Sequence, residues 1–507
     1  MSDVRLLVPR TIPLLRRIAG AGLLVLVGTL VAASTVGTSV LATAGPARAD
    51  GPGSVQGTDG PPRPAAAADS GAATGEGEVP RPDGRATGTK HPTLALDQDF
   101  PDPDILKVGD TYYVYSTNSA KTLPVASATS LDGPWTVQQA DALPRLGEWA
   151  SSGFTWAPDV SRRADGTFLL YYTARHTASN RQCIGAAIAD SPRGPFVPVG
   201  TEPLVCPAEA GGAIDASSFV DRDGRRYLLY KNDGNAIGLP TTIYLQPVAP
   251  DGVTFAGERV PLISNDGDEG WLVEAPVLVR QGTSYNLFYA TGEYWNGTYA
   301  TRIATAASVA GPYTKADRPL LSTATFDGAV TGPGGADVLQ DTDAGDHIVF
   351  HGVRDGGYRA LYVAELGWAA DDTPVVRGSR FRVEGEGGRV HHATVRTDAT
   401  GASGGAVVSD LDHPDSWVEL QVYAPRSGAY TLHVGYGNVS VDSNGAERTA
   451  SHHVAVDGRR AGTIEYPFTG SDTWGEATID VRLSAGSNTV RLGPATWVAE
   501  VDYVDVA

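Results

Sequence analysis

The sequence predicts an all-β protein, a five-bladed β-propeller over residues 92–381 followed by a jelly-roll-like β-sandwich over 382–507. Three observations carry that prediction. A hairpin phrase occurs five times, as FPDPDILKVGDTYYVYST (100–117), WAPDVSRRADGTFLLYYTA (156–174), IDASSFVDRDGRRYLLYK (214–231), VEAPVLVRQGTSYNLFYA (273–290) and, more loosely, GPGGADVLQDTDAGDHIVFHG (332–352). Each copy opens on an acidic or small residue and runs through two apolar stretches around a glycine turn. The turn glycines, Gly109, Gly166, Gly224, Gly282 and Gly345, stand 57, 58, 58 and 63 residues apart, a length that suits one four-stranded blade with its loops. After residue 381 the phrase stops, and stretches such as SWVELQVYA, AYTLHVGYG and EATIDVRL alternate polar with apolar residues between Gly, Pro and Asp turns, the pattern of a sandwich.

Taken in order, residues 1–49 read as a signal peptide. Arg5, Arg10, Arg16 and Arg17 precede an uncharged apolar stretch from Ile18 to Ala44, and Ala47-Arg48-Ala49 offers a small-x-small cleavage site. The mature chain then begins at Asp50; a retained membrane anchor is the alternative. Residues 50–91 hold almost no large apolar side chains and read as a disordered linker. Within the repeat, Gly-Pro-aromatic triplets at 133–135, 194–196 and 311–313 close a later strand of blades one, two and four.

The formal charge of −19, from 39 Lys and Arg against 58 Asp and Glu, argues against nucleic acid or an anionic membrane as partner and fits a neutral substrate. The two cysteines, Cys183 and Cys206, form an even pair with no CxxC neighbour, so one disulfide in an exported protein is the economical reading. The expected location is secreted and extracellular, and the expected state a monomer.

A propeller brings the heads of its repeats to one funnel, so Asp102, Asp215 and Glu274, at the heads of copies one, three and four, should converge. A metal site or polar plug is the structural alternative. Three carboxylates also suit glycoside hydrolysis, which needs a protonated acid, an ionised base or nucleophile, and a further charge to hold the acid's proton.

The PDPDI, WAPDV, IDxSxF and VEAP elements, in this order and spacing across 92–381, resemble glycoside hydrolase family 43. The resemblance implies an inverting mechanism with Asp102 as general base, Asp215 as the carboxylate that tunes and orients the acid, and Glu274 as general acid, with no cofactor required for chemistry. The segment from CIGAAIADSPRGPF to PLVCP and GGAID, with GPGGA later, looks most like members that release α-L-arabinofuranose. The expected activity is therefore an exo-acting α-L-arabinofuranosidase on arabinan or arabinoxylan of the plant cell wall. A β-xylosidase, an endo-arabinanase and a catalytically silent glycan-binding propeller are the alternatives. The chain departs from the family pattern at Ala216, where proline often follows the tuning acid, and at Gly335, where many members place a histidine near an axial calcium.

Candidate sugar contacts are Trp156 and Asp159 in the second copy and Tyr294 and Trp295 after the fourth, aromatic faces being suited to apolar sugar faces. The DRDG run at 221–224 lacks the ligands of a calcium loop and reads as a turn. His391-His392 and His452-His453 are adjacent pairs whose side chains should diverge on a strand. The opening VEGEGG and the closing AEVDYVDVA of 382–507 resemble carbohydrate-binding modules of families 6 and 35, in which acids near both termini hold a structural calcium; the resemblance implies Glu384, Glu386 and Asp502 as its ligands. Tyr436, Trp474 and Trp497 are candidate sugar platforms, with a place in the core as the alternative for each.

Overall fold

The computed structural model describes residues 92–507 apart from Asp268; the signal-peptide and linker readings lie outside the described residues. The described chain is almost wholly β. Each hairpin phrase forms the first two strands of its own antiparallel sheet. The lead strands are Asp104–Val108, Ala150–Arg162, Ala213–Val220, Glu274–Gln281 and Thr331–Leu339. All five turn glycines sit at positive φ, between 54° and 89°, where a side chain would be strained. Each of the three Gly-Pro-aromatic triplets has a cis peptide and leads into the fourth strand of its sheet.

Period-2 alternation explains how these sheets stack. Leu170 and Tyr172 face the first sheet in a core with Tyr113, Tyr115 and Val125. Their neighbours Leu169 and Tyr171 face the third sheet with Leu228 and Tyr230. Similar cores lie between sheets three and four, four and five, and five and one, and the lead strands touch in the same cyclic order. The result is propeller-like. One closing element has no signal in the repeat: Thr93–Leu96, from before the first copy, pairs with Arg359–Trp368 and so adds an N-terminal strand to the fifth sheet.

The strand Phe381–Glu384 pairs with Glu500–Val506, so C-terminal pairing starts one residue before the boundary read from the sequence. From there two sheets of six and five strands bury one shared core, with Leu432, Val434 and Val504 on one side and Leu420, Val454 and Val490 on the other. The disulfide Cys183–Cys206 is formed, and residues 221–224 make a turn closed by Gly224 N–H donating to Asp221 O.

Candidate active site

Every lead segment has a bend with left-handed backbone at an equivalent position, Asp102, Ala157, Asp215, Ala275 and Gly335, at φ 49°, 38°, 56°, 48° and 56°. The ladder shifts register at this bend in sheets two to five. Aspartate tolerates this conformation, whereas alanine rarely adopts it, at a cost of about 1–3 kcal/mol each. The bends align the five sheets. Asp102 and Asp215 occupy the same position, while Glu274 stands one residue earlier, where the second sheet has Trp156. The three acids are therefore not equivalent heads, as the repeat alone suggested. The prolines Pro103, Pro158 and Pro276, each following its bend, carry that register in the sequence.

All three acids line one cavity of about 350 Å3, together with Trp156, Tyr294, Trp295, Tyr299 and Arg359. Asp102 accepts hydrogen bonds from the Thr117 hydroxyl at 2.7 Å and from Arg359 Nη1 at 3.0 Å. Burial pushes its carboxyl up, but the Arg359 guanidinium and the Thr117 hydroxyl outweigh burial and hold it below the ordinary carboxylate value. His351, pushed down to about 3 by burial and by Arg359, is neutral and accepts the Asp102 amide through Nδ1 at 3.1 Å. A Cβ at Gly335 would stand 2.8 Å from His351 Cε1, so this imidazole takes the space a histidine at 335 would need.

Glu274 accepts from Tyr299 Oη at 2.8 Å and from the fully buried Lys231 Nζ at 3.3 Å. Lys231 also donates to Asn235 Oδ1 at 2.7 Å. Asp215 accepts from the amide of Ala275 at 2.9 Å. Burial first, then the charge of Glu274, pushes Asp215 up to about 8. The cavity thus holds one carboxylate kept ionised, Asp102, and an acid beside Glu274, Asp215, that retains its proton at neutral pH. Two titratable centres whose environments push them apart are what acid–base chemistry across a scissile bond needs.

Asp159 lines the cavity, but Ser218 occupies both its oxygens, through N–H at 2.9 Å and Oγ at 2.7 Å. It acts as a clamp onto the third sheet rather than a free sugar ligand. Asp104 does the same for Val160 N–H at 2.9 Å, and Asp337 for Ile105 N–H at 2.8 Å. Trp156 is half-buried at the wall. Tyr294 and Trp295 are about half exposed and meet edge to face at 4.8 Å, and the Arg359 guanidinium lies 4.7 Å from the Tyr294 ring. Sequence reasoning missed Lys231, His351 and Arg359, which sit on second and later strands, and Tyr299, just before the strand Ala300–Ala306, all outside the acidic heads.

In the C-terminal sheets, Ser403 donates to Glu384 Oε1 at 2.7 Å and to Asp502 Oδ2 at 3.1 Å. Glu384 Oε2, Glu386 Oε2 and Asp502 Oδ1 are buried without a donor, and burial pushes Asp502 up to about 6. Trp497 is exposed, whereas Tyr436 is buried in the core and is no sugar platform. Trp474 donates Nε1–H to Thr400 O at 3.0 Å.

Residues 90–374 match the family described as "Glycosyl hydrolases family 43". The chain belongs to this family. It is similar to the extracellular endo-alpha-(1->5)-L-arabinanase 2 of Bacillus subtilis, 28% identical over 43% of this chain and 51% of that protein. An extracellular endo-alpha-(1->5)-L-arabinanase of Thermotoga petrophila is 26% identical over 52% of this chain and 62% of its own length. The chain thus spans between half and two thirds of these relatives. Among solved structures, a thermostable family-43 glycoside hydrolase is 27% identical and superposes with a TM-score of 0.51 over 56% of this chain and 94% of that one.

Proposed function

We propose that this family-43 protein is an exported, inverting glycosidase that releases α-L-arabinofuranose from arabinan or arabinoxylan. In this reading a five-bladed β-propeller bears the site, and a β-sandwich over the C-terminal region holds the polysaccharide. The observation that carries the reading is the meeting in one cavity of an ionised Asp102, a proton-retaining Asp215 and Glu274 beside it. Asp102 takes a proton from water as its oxygen attacks the anomeric carbon, Glu274 gives a proton to the departing glycosidic oxygen, and Asp215 is the neighbouring carboxyl that tunes and orients Glu274. Lys231 and Tyr299 hold the Glu274 carboxyl in place. Arg359 and Thr117 keep Asp102 ionised.

The arabinanase names of the Bacillus and Thermotoga relatives support arabinan as substrate, and their description as extracellular supports export. A cavity of about 350 Å3 lies at the small end of ligand sites, which favours attack at a chain end. Those same names favour a second reading, endo-attack within the chain. Product size from linear arabinan separates the two: arabinose alone from the first time point supports exo action, and longer oligosaccharides from the outset refute it. Silence on arabinan and on nitrophenyl arabinofuranoside and xyloside alike leaves only a glycan-binding propeller. In an NMR time course, a first-formed sugar that kept the substrate's anomeric configuration would sink inversion.

For the sandwich, three donorless buried carboxylate oxygens at Glu384, Glu386 and Asp502 fit calcium, which takes oxygen ligands. Calcium there would tie Phe381–Glu384 to Glu500–Val506, and Trp497 would present its ring to sugar. A chelator should lower the melting temperature and calcium restore it, while activity on small soluble glycosides persists. A chain ending at residue 380 should keep that activity and lose mainly on polymer.

A further inference from the structure

The C-terminal sheets carry a side-chain cluster that neither the glycosidase reading nor the calcium reading uses. Neighbouring residues of a strand point to opposite faces, so His391 and His392 would diverge if the strand Arg389–His391 continued. Instead the chain turns at His392, with φ 47°, and the two imidazoles stack with centroids 4.1 Å apart. This corrects the expectation that the pair cannot converge. A second turn brings His413 and Asp415 to meet them. His392 Nδ1 lies 2.8 Å from Asp415 Oδ1 and His391 Nε2 lies 3.8 Å from Asp415 Oδ2. His413 Nδ1 also contacts Asp415 Oδ1. One donor atom each from His391, His392 and Asp415 falls within 4.8 Å of the others. The one comparable group among the described residues, His176 with Cys183 and Cys206, has its sulfurs joined in the disulfide.

We propose that His391, His392 and Asp415, with His413 as the fourth donor, bind a zinc-type transition-metal ion that staples these two turns together. Imidazole nitrogens with a single carboxylate select zinc, nickel or copper over calcium and magnesium, which prefer oxygen. Tetrahedral zinc with bonds of about 2.0–2.2 Å needs its donors closer than they now stand. The side chains are exposed, which leaves them room to rotate toward a shared ion. The four side chains are between 44% and 57% exposed, so an ion reaches them from solvent. The His391 ring is already held against Trp417, centroids 5.2 Å apart. The guanidinium groups of Arg389 and Arg491, which lie over the Trp417 ring, both pair with Glu419, which offsets their repulsion of a cation. Because the imidazoles must be neutral to bind, affinity falls as pH drops through the histidine range.

The test uses the mature chain stripped with EDTA, in buffer at neutral to slightly alkaline pH. Zinc chloride is titrated by calorimetry and cobalt chloride by visible absorption. The expected result is one zinc per chain at micromolar or tighter affinity, a tetrahedral cobalt spectrum, a melting temperature raised by a few degrees, and no competition from calcium. H392Q and D415N should each weaken zinc binding at least tenfold while melting normally in EDTA. H453Q, altering an exposed histidine on the strand Ala450–Val456, should bind as the parent does. Undiminished zinc binding in H391Q, H392Q and D415N, or no binding below about 1 mM zinc, overturns the proposal.

Discussion

Replacing Asp215 by asparagine removes the carboxyl beside Glu274 and little else, because the amide oxygen can still accept from Ala275 N–H as the carboxylate does at 2.9 Å. The Asp215 carboxyl is pushed up to about 8, by burial first and by the charge of Glu274 next. At an effective dielectric of about 20, like charges about 6–10 Å apart repel by roughly 1.7–2.8 kcal/mol, which is about one to two pH units. Without that neighbouring carboxyl the site holds its proton less tightly, so the alkaline limb of kcat/KM should move down by that amount. The substrate must be an arabino-oligosaccharide, since its alkoxide leaving group needs the proton. An Asp215→Asn enzyme that melts like the parent, turns over, and keeps its alkaline limb in place would refute the tuning role of Asp215.

Glu274→Ala should lose about 10²–10⁴-fold on arabinan and far less on an activated aryl arabinofuranoside, whereas Asp102→Ala should lose on both; equal losses on the two substrates for Glu274→Ala would reverse the assignment. Arg359→Gln removes the cation 3.0 Å from Asp102, so the Asp102 pKa should rise and the acid limb of the profile should move up by about one pH unit; an acid limb that stayed put would assign it to another group. Burial, first, and the Asp159 charge push Asp337 up to about 7, against an ordinary value near 3.9 in the unfolded chain. Its stability contribution is thus fully present below about pH 4 and lost as pH rises toward 7. Thermal melts of Asp337→Asn against the parent across that window should converge in slope at its ends and differ within it; identical pH dependence would contradict this.

Much of the fold was legible because a propeller-like ring repeats one local unit. A hairpin whose turn needs left-handed backbone leaves a glycine at fixed spacing, and all five glycines mark such turns. Closure was not legible: Thr93–Leu96 pairs with a strand more than 260 residues later, and nothing in four short residues announces a distant partner. The three acids were found because they head the repeat. Their relative register was obscured because Glu274 reaches the cavity from one residue earlier than Asp102 and Asp215. The partners Lys231, Tyr299, His351 and Arg359 look in the sequence like ordinary strand residues, and only burial beside a carboxylate gives them meaning. At His391-His392 the strand alternation rule failed for a local reason, a left-handed residue at the strand's end.

The hydrogen bonds that close the ring also explain why Asp215 can orient as well as tune. Between sheets one and two, two and three, and five and one, an acid two residues beyond the bend accepts an N–H of the next sheet: Asp104 from Val160, Asp159 from Ser218 and Asp337 from Ile105. Sheet three has Ser217 at that position and cannot make the carboxylate clamp. There the link is made one layer up, by Asp215 itself, which accepts from Ala275. Ala275 is the residue next to Glu274, so the carboxyl proposed to tune Glu274 also fixes the backbone from which Glu274 projects. Asp215→Ala should therefore do two kinds of damage where Asp215→Asn does one. The asparagine variant retains the clamp and moves the pH profile, while the alanine variant moves the profile and in addition lets Glu274 drift from Lys231 and Tyr299, lowering kcat at every pH. Were the two variants indistinguishable at the pH optimum, the clamp would have no part in placing the acid.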